Sequence, residues 1–127
     1  WGSGGTFGEP HEKMSAFFSK LGVIWYTGAF QGKVGGVFAT TTTQHGGVEN
    51  VCRALQTPMF HHGMIVVSNT GPNDADRAQY GCPYGAVAVI PVEQSKDAPL
   101  NKPTDAEMEI ARNYGKLVAE AAMKLHG

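Results

Sequence analysis

Residues able to do chemistry gather in three stretches rich in glycine, hydroxyls and amides: "GSGGTFGE" (residues 2–9), "TTTTQHGG" (residues 40–47) and "SNTGPND" (residues 68–74). Glycines there let backbone N–H groups turn toward a ligand, while threonine hydroxyls and the Gln44 amide add hydrogen bonds without fixed positive charge. Such a lining suits a flat heteroaromatic ring with carbonyls and ring nitrogens better than a bare phosphate. One such stretch alone reads equally well as a solvated strand-to-helix turn, and it is the repetition that favours a ligand. His61 and His62 stand at the start of an apolar run. On an extended segment adjacent side chains point to opposite faces, so the pair is not expected to chelate one metal; one imidazole can reach a site while the other packs. Trp25, in "VIWYTG", reads either as core or as a wall on which a ring stacks. Cys52 and Cys82 lack the close spacing of a metal or redox motif and read as free thiols.

The elements that must position these residues follow from hydrophobic spacing. Met14, Phe17, Phe18 and Leu21 fall at i, i+3, i+4 and i+7, predicting a helix with Pro10 in its first turn and Gly22 at its end. "VIWYTGAFQG" reads as a turn-rich connection and "KVGGVFA" as a short buried strand. Val48, Val51, Cys52 and Leu55 predict a second helix, ended by Pro58. "MIVVS" (residues 64–68) has the continuous apolar run of a strand buried on both faces, residues 69–85 form a polar, turn-rich insertion, and "AVAVIPV" resumes a strand. Thr104 and Glu107 make a capping box ahead of a long helix whose apolar face is Ile110, Tyr114, Leu117, Val118, Ala121 and Leu125. Strand end, helix, strand, helix, strand, helix predicts a parallel sheet with helices on both faces. Ligands bind outside the carboxyl ends of such strands, which would place all three polar stretches on one rim.

Composition narrows the function. The chain has 127 residues, enough for one core, with 42% hydrophobic residues and a net charge of −1. That balance argues against nucleic acid as a partner, and no apolar stretch approaches the roughly 20 residues that span a bilayer. A cytoplasmic protein with no membrane association is the expectation.

Five blocks, "GSGGTFGEPHEKM", "GVIWYTGAFQGKVGGVFATTTTQHGGVE", "MFHHGMIVV", "GCPYGA" and "PTDAEMEIARNYGKLVAEAAMKL", resemble in order successive blocks of the WrbA family of NAD(P)H:quinone oxidoreductases. "TQHGG", "HHGM" and "PYGA" are specific together and weak apart. The resemblance implies a flavodoxin-like, doubly wound α/β/α domain spanning residues 1–127, incomplete at its amino-terminal side by two strands and two helices. It further implies FMN as cofactor, NADH or NADPH as reductant and a quinone as substrate. A homotetramer, or a companion chain supplying the amino-terminal half, is implied as well. Carried over by position, Gly5, Thr6, Phe7 and Gly8 match the family's first flavin-ring loop, and Thr40, Thr41, Thr42, Thr43, Gln44, His45 and Gly46 its second. His61 matches the flavin-contacting histidine and Trp25 the aromatic residue over the substrate position. No side chain is required as a nucleophile, and no metal is implied. The first loop departs from the family's Pro-Thr-Arg-Phe-Gly-Asn run: it lacks the Arg and gains Glu9, which makes it less attractive to an anionic group. A non-catalytic flavodoxin-like binding or scaffolding subunit is the rival reading. An acidic one-electron carrier is disfavoured by the near-neutral charge.

Overall fold

The computed structural model describes residues 1–71, 74–91 and 102–127; Pro72 and Asn73 of the third polar stretch, and Val92 of the last predicted strand, lie outside them. Along the chain come β1 (Gly2–Thr6), β2 (Glu9–Pro10), α1 (Glu12–Ser19), α2 (Gly22–Tyr26), β3 (Val34–Gly35) and β4 (Phe38–Thr41). They are followed by α3 (Val48–His61), β5 (Ile65–Val66), α4 (Ala75–Tyr80), β6 (Ala86–Val89) and α5 (Asp105–His126). The main sheet has the order β2-β1-β4-β6, with β4 parallel to both β1 and β6 and with β2 antiparallel to β1.

Strands β3 and β4 are one path broken at Gly36 and Val37, and its partners explain the break. The carbonyls of Gly35 and Val37, two residues apart and so directed to the same side, accept from Val67 N at 3.0 Å and Ala86 N at 3.1 Å. The Gly36 carbonyl points the other way and accepts from the Trp1 nitrogen at 2.6 Å. Strands β5 and β6 therefore lie end to end along one side of the same path, and residues 69–85 leave between them. The two strands expected from "MIVVS" and "AVAVIPV" are halves of one sheet position.

Helices cover both faces, as a doubly wound sheet requires. Val37 and Ala39 point to α3, where Val51, Cys52, Leu55 and Met59 close a core joined by Met14 and Phe18 of α1. On the opposite face α5 lays Tyr114 over Gly36, where an added Cβ would come within 2.5 Å of the phenolic oxygen. The Tyr114 hydroxyl accepts from Val37 N at 3.2 Å and donates to Val67 O at 2.7 Å, spanning the point where the strand path breaks. At the start of α5 the capping box is present, and the buried Glu107 carboxylate also accepts from Val89 N at 2.8 Å, tying the helix to the end of β6.

Several local expectations give way to tertiary structure. "GSGGT" is a strand rather than a loop. The first helix begins after His11, whose ring accepts from Lys13 N, so Pro10 lies in β2; Gly22 does not end that helix but opens α2 inside the expected turn region. Pro58 does not end α3. The helix runs one more turn because Met59, 1% exposed, belongs to the core, and its burial outweighs the one ladder bond that proline removes. His61 and His62 consequently sit on a helix end rather than on an extended segment. Residues 65–66 form only a short strand with Ile65 exposed, so the expected burial on both faces does not hold.

Tyr114→Phe should lower unfolding free energy by about 1–3 kcal/mol in urea titration, since it strands a buried N–H and a half-buried carbonyl. Burial raises the Tyr114 pKa, an effect partly offset by the bond from Val37 N–H. The folded state thus holds this proton more tightly than the unfolded chain does. The wild-type protein should lose stability as pH rises above about 10, and the Phe variant should lose less there.

Candidate functional site

Because β1 and β4 run parallel, their carboxyl ends at Thr6 and Thr41 share one rim. Two turns leave it. Phe7 and Gly8, at φ of 52° and 82°, turn β1 back into β2, two successive positive values as in primed hairpin turns. Residues 42–47 turn β4 into α3, folded by Thr41 Oγ1 donating to Thr43 O at 2.9 Å and Gly46 N to Thr43 O at 3.0 Å.

The turns meet. At Gly47, φ 82°, an added Cβ would lie 2.6 Å from the Gly8 Cα, so the approach needs glycine at 47, while at Gly8 it is the positive φ that favours glycine. Asn50 of α3 reaches back to donate to Gly8 O at 2.9 Å. The first two predicted loops, Gly5 to Gly8 and Thr40 to Gly46, are thus parts of one surface. Thr41 is buried as its support, while Thr42, Thr43, Gln44 and His45 stand exposed around it. Helix α3 begins at Gly47 with no side-chain cap, so its first-turn amides are directed at this rim. A cavity of about 430 Å³ opens there between Gln44, His45, Asn50 and Arg53.

Phe7 is the outlier. A bulky residue at positive φ is strained, and this one's ring is fully exposed. Neither packing nor hydrogen bonding by its side chain accounts for that cost. The charges beside the rim are Glu9 and Glu49, with Arg53 farther along α3, and the two loops hold neither Lys nor Arg. The cavity is lined by the amides of Gln44 and Asn50, the His45 imidazole and one charge of each sign, Glu49 and Arg53, while the exposed Phe7 ring and the Thr42 and Thr43 hydroxyls stand on the turns beside it, a set suited to a planar polar group.

The other predicted residues lie elsewhere. Ser68 to Gly71 leave the sheet beside Gly85, about 13 Å short of the rim, because β5 occupies only the first half of its strand position. Asn69, 2% exposed, donates to Gly85 O at 2.9 Å and holds the insertion's base closed, so the described residues 68–71 of the third stretch do not line the site. Trp25 and His61 are brought together across a separate cavity of about 350 Å³ that also includes Phe18 and Pro58. That cavity is at the far end of α3, about 20 Å from Gly47. Buried His62 lies beneath it in edge contact with Phe30, ring centroids 5.3 Å apart, and its Nδ1 has no partner among the described residues. Sequence reasoning missed the Phe7 strain and the role of Asn50; the adjacency of Phe7 to Gly8 signals a turn, but nothing local signals which residue reaches Gly8.

The arrangement has a close structural counterpart. A crystal structure of a flavodoxin, WrbA-like protein from Agrobacterium tumefaciens superposes with a TM-score of 0.72 over 98% of this chain and 64% of that one, at 22% identity. The fold is flavodoxin-like. Proteins named NAD(P)H dehydrogenase (quinone) are similar over 99% of the chain: 41% identical in Rhodopseudomonas palustris strain TIE-1, 38% in Paraburkholderia phymatum and 37% in Bradyrhizobium sp. strain ORS 278. The chain spans 63% of the length of each. No protein-family model matches the chain. The likeness to WrbA-type flavoproteins read from the sequence therefore holds at the level of these relatives and this flavodoxin-like fold. Among the described residues no helix is long and apolar enough to cross a membrane.

Gly47→Ala tests the joined rim. With a side chain forced into both positive φ and the Gly8 backbone, the variant should lose about 1–3 kcal/mol of stability by thermal or urea unfolding. Gly115→Ala, in open space on α5, should lose none.

Proposed function

We propose that this chain supplies the flavin-ring rim of an FMN-dependent NAD(P)H:quinone oxidoreductase. The reading is carried by Phe7, a strained and fully exposed aromatic on one of two turns packed so closely that a Cβ at Gly47 would collide with the Gly8 backbone. The quinone dehydrogenase names of the relatives support it. When bound, FMN supplies two-electron hydride transfer from NADH or NADPH to a quinone.

The residues of this chain bind, orient and shield. Backbone N–H groups of Phe7 and Gly8, beyond the paired residues Gly5 and Thr6, and of the first turn of α3 offer donors to ring carbonyls and nitrogens, while Thr40, Thr42, Thr43, Gln44 and His45 add hydroxyl, amide and imidazole partners. Gly46 lets that turn close. The Phe7 ring covers an open face and keeps water from it.

Trp25 and His61 act at the same reaction only if a second copy brings them to the rim, because reacting atoms must approach to about 3–3.5 Å and α3 separates the two ends by about 20 Å. Val23, Trp25, Tyr26 and Phe60 are all exposed near that cavity and give such a copy an apolar surface to use. In this homo-oligomer Trp25 stacks on the quinone ring and His61 hydrogen-bonds to it.

Phe7→Asn separates a functional ring from a structural one. Asn tolerates positive φ, so the thermal midpoint should stay level or rise, while FMN affinity falls several-fold by fluorescence titration. A fall in both would assign Phe7 to folding. Trp25→Ala and His61→Ala should each leave the thermal midpoint nearly unchanged and reduce kcat/KM for quinone by about tenfold. Mixing either variant with a rim variant such as Gly47→Ala should restore part of the activity. Unchanged quinone reduction in both would assign Trp25 and His61 structural roles, and no quinone reduction by the wild-type protein would favour a non-catalytic binding subunit.

A further inference from the structure

We propose that Cys52 and Cys82 form a peroxide-reactive dithiol site that closes to an intramolecular disulfide. Far apart in sequence, the two cysteines are neighbours in the fold, Cys52 on the core face of α3 and Cys82 in the turn ahead of β6, where it lines a cavity with Val48 and Glu49 of the preceding turn of α3. Both are free, 0% and 3% exposed. Their placement is built rather than incidental. Gln56, one helical turn after Cys52, donates to Tyr84 O at 2.6 Å, and Asn69 donates to Gly85 O at 2.9 Å, so the turn carrying Cys82 is stapled to the helix carrying Cys52. Cys82 also borders a cavity of about 350 Å³ that opens beside Gln44, His45 and Thr104, wide enough to admit a small peroxide.

The pair divides its roles. The neighbouring Cys52 thiol pulls the Cys82 pKa down to about 7 against the opposing effect of burial, with further help from the N–H groups of Tyr84 and Gly85. The same pairing, and then burial, push Cys52 up. Glu49, on α3, raises both thiols, and the Tyr114 hydroxyl of α5 is the other titratable group that interacts with the pair. Cys82, which lines the cavity while Cys52 does not, is therefore the thiolate that attacks.

With hydrogen peroxide as oxidant, the Cys82 sulfur attacks one peroxide oxygen. The O–O bond breaks, hydroxide leaves and Cys82 becomes a sulfenic acid. The Cys52 sulfur then attacks the Cys82 sulfur, the S–O bond breaks, and the Cys52 proton leaves with the oxygen as water. Two thiols are oxidised by two electrons, and one peroxide becomes two waters. The product cross-links α3, which begins at the rim, to the turn that borders the neighbouring cavity, without requiring flavin or quinone chemistry.

The test uses the full reduced chain and graded hydrogen peroxide, with thiol counting and peptide mass mapping. Both thiols should disappear together, a peptide linking residues 52 and 82 within one copy should form, and dithiothreitol should return both thiols. Cys52→Ser should stop at a sulfenic acid on Cys82, captured by a dimedone probe, whereas Cys82→Ser should slow loss of the Cys52 thiol at least about tenfold. Absence of the linked peptide at doses that oxidise exposed thiols, or links only between copies, would overturn the proposal. Equal reactivity of Cys52 in wild type and in Cys82→Ser would overturn it too. Mapping of the wild-type chain decides the matter even if a core serine prevents folding.

Discussion

The turn at Gly47 lies so close to the turn at Gly8 that a methyl group on Gly47 would displace the Gly8 backbone, and this approach fixes the rim. One turn closes a hairpin off β1; the other starts α3. Their meeting aims the uncapped amides of that helix and the hydroxyl turn after β4 at the same space as Phe7. If the approach were lost, the donors would remain on the chain but would no longer face one ligand. The strain at Phe7 is consistent with a site whose geometry is imposed by its surroundings rather than chosen by local preference.

Farther from the rim, a few buried polar side chains repair a sheet that the sequence interrupts. One strand position is filled by two short pieces, β5 and β6, and a polar insertion leaves between them. Tyr114 bridges the gap from one face, Gln56 and Asn69 hold the returning turn from the other side, and Glu107 fastens α5 to the end of β6. Each satisfies backbone groups that an unbroken ladder would have paired, so each matters more than its single bond implies. The same staples bring Cys82 to Cys52.

Much of this was legible in the sequence where one physical signal dominated. The helical spacing of Val48, Val51, Cys52 and Leu55, the Thr104–Glu107 box and the alternation of strand and helix all correspond to observed elements; they indicate a parallel sheet covered by helices, and the resemblance to the WrbA family supplied the flavodoxin-like assignment. What escaped was set by distant partners. Pro58 stays inside a helix because Met59 is anchored in the core, and "GSGGT" is extended because β4 pairs with it. Residues 68–71 of the third polar stretch fell away from the rim because their strand is only half length. Nor could spacing show that Trp25 and His61 pair with each other at one end of α3 while the loops meet at the other.

The most direct measurement of the central claim is amide hydrogen exchange by mass spectrometry on the chain with and without saturating FMN. Slowed exchange concentrated in residues 5–8 and 40–50, with the segments bearing Trp25 and His61 protected only under conditions where the chain self-associates, is the predicted result. Protection confined to the Trp25 and His61 cavity in the monomer, with the rim unchanged, would contradict it.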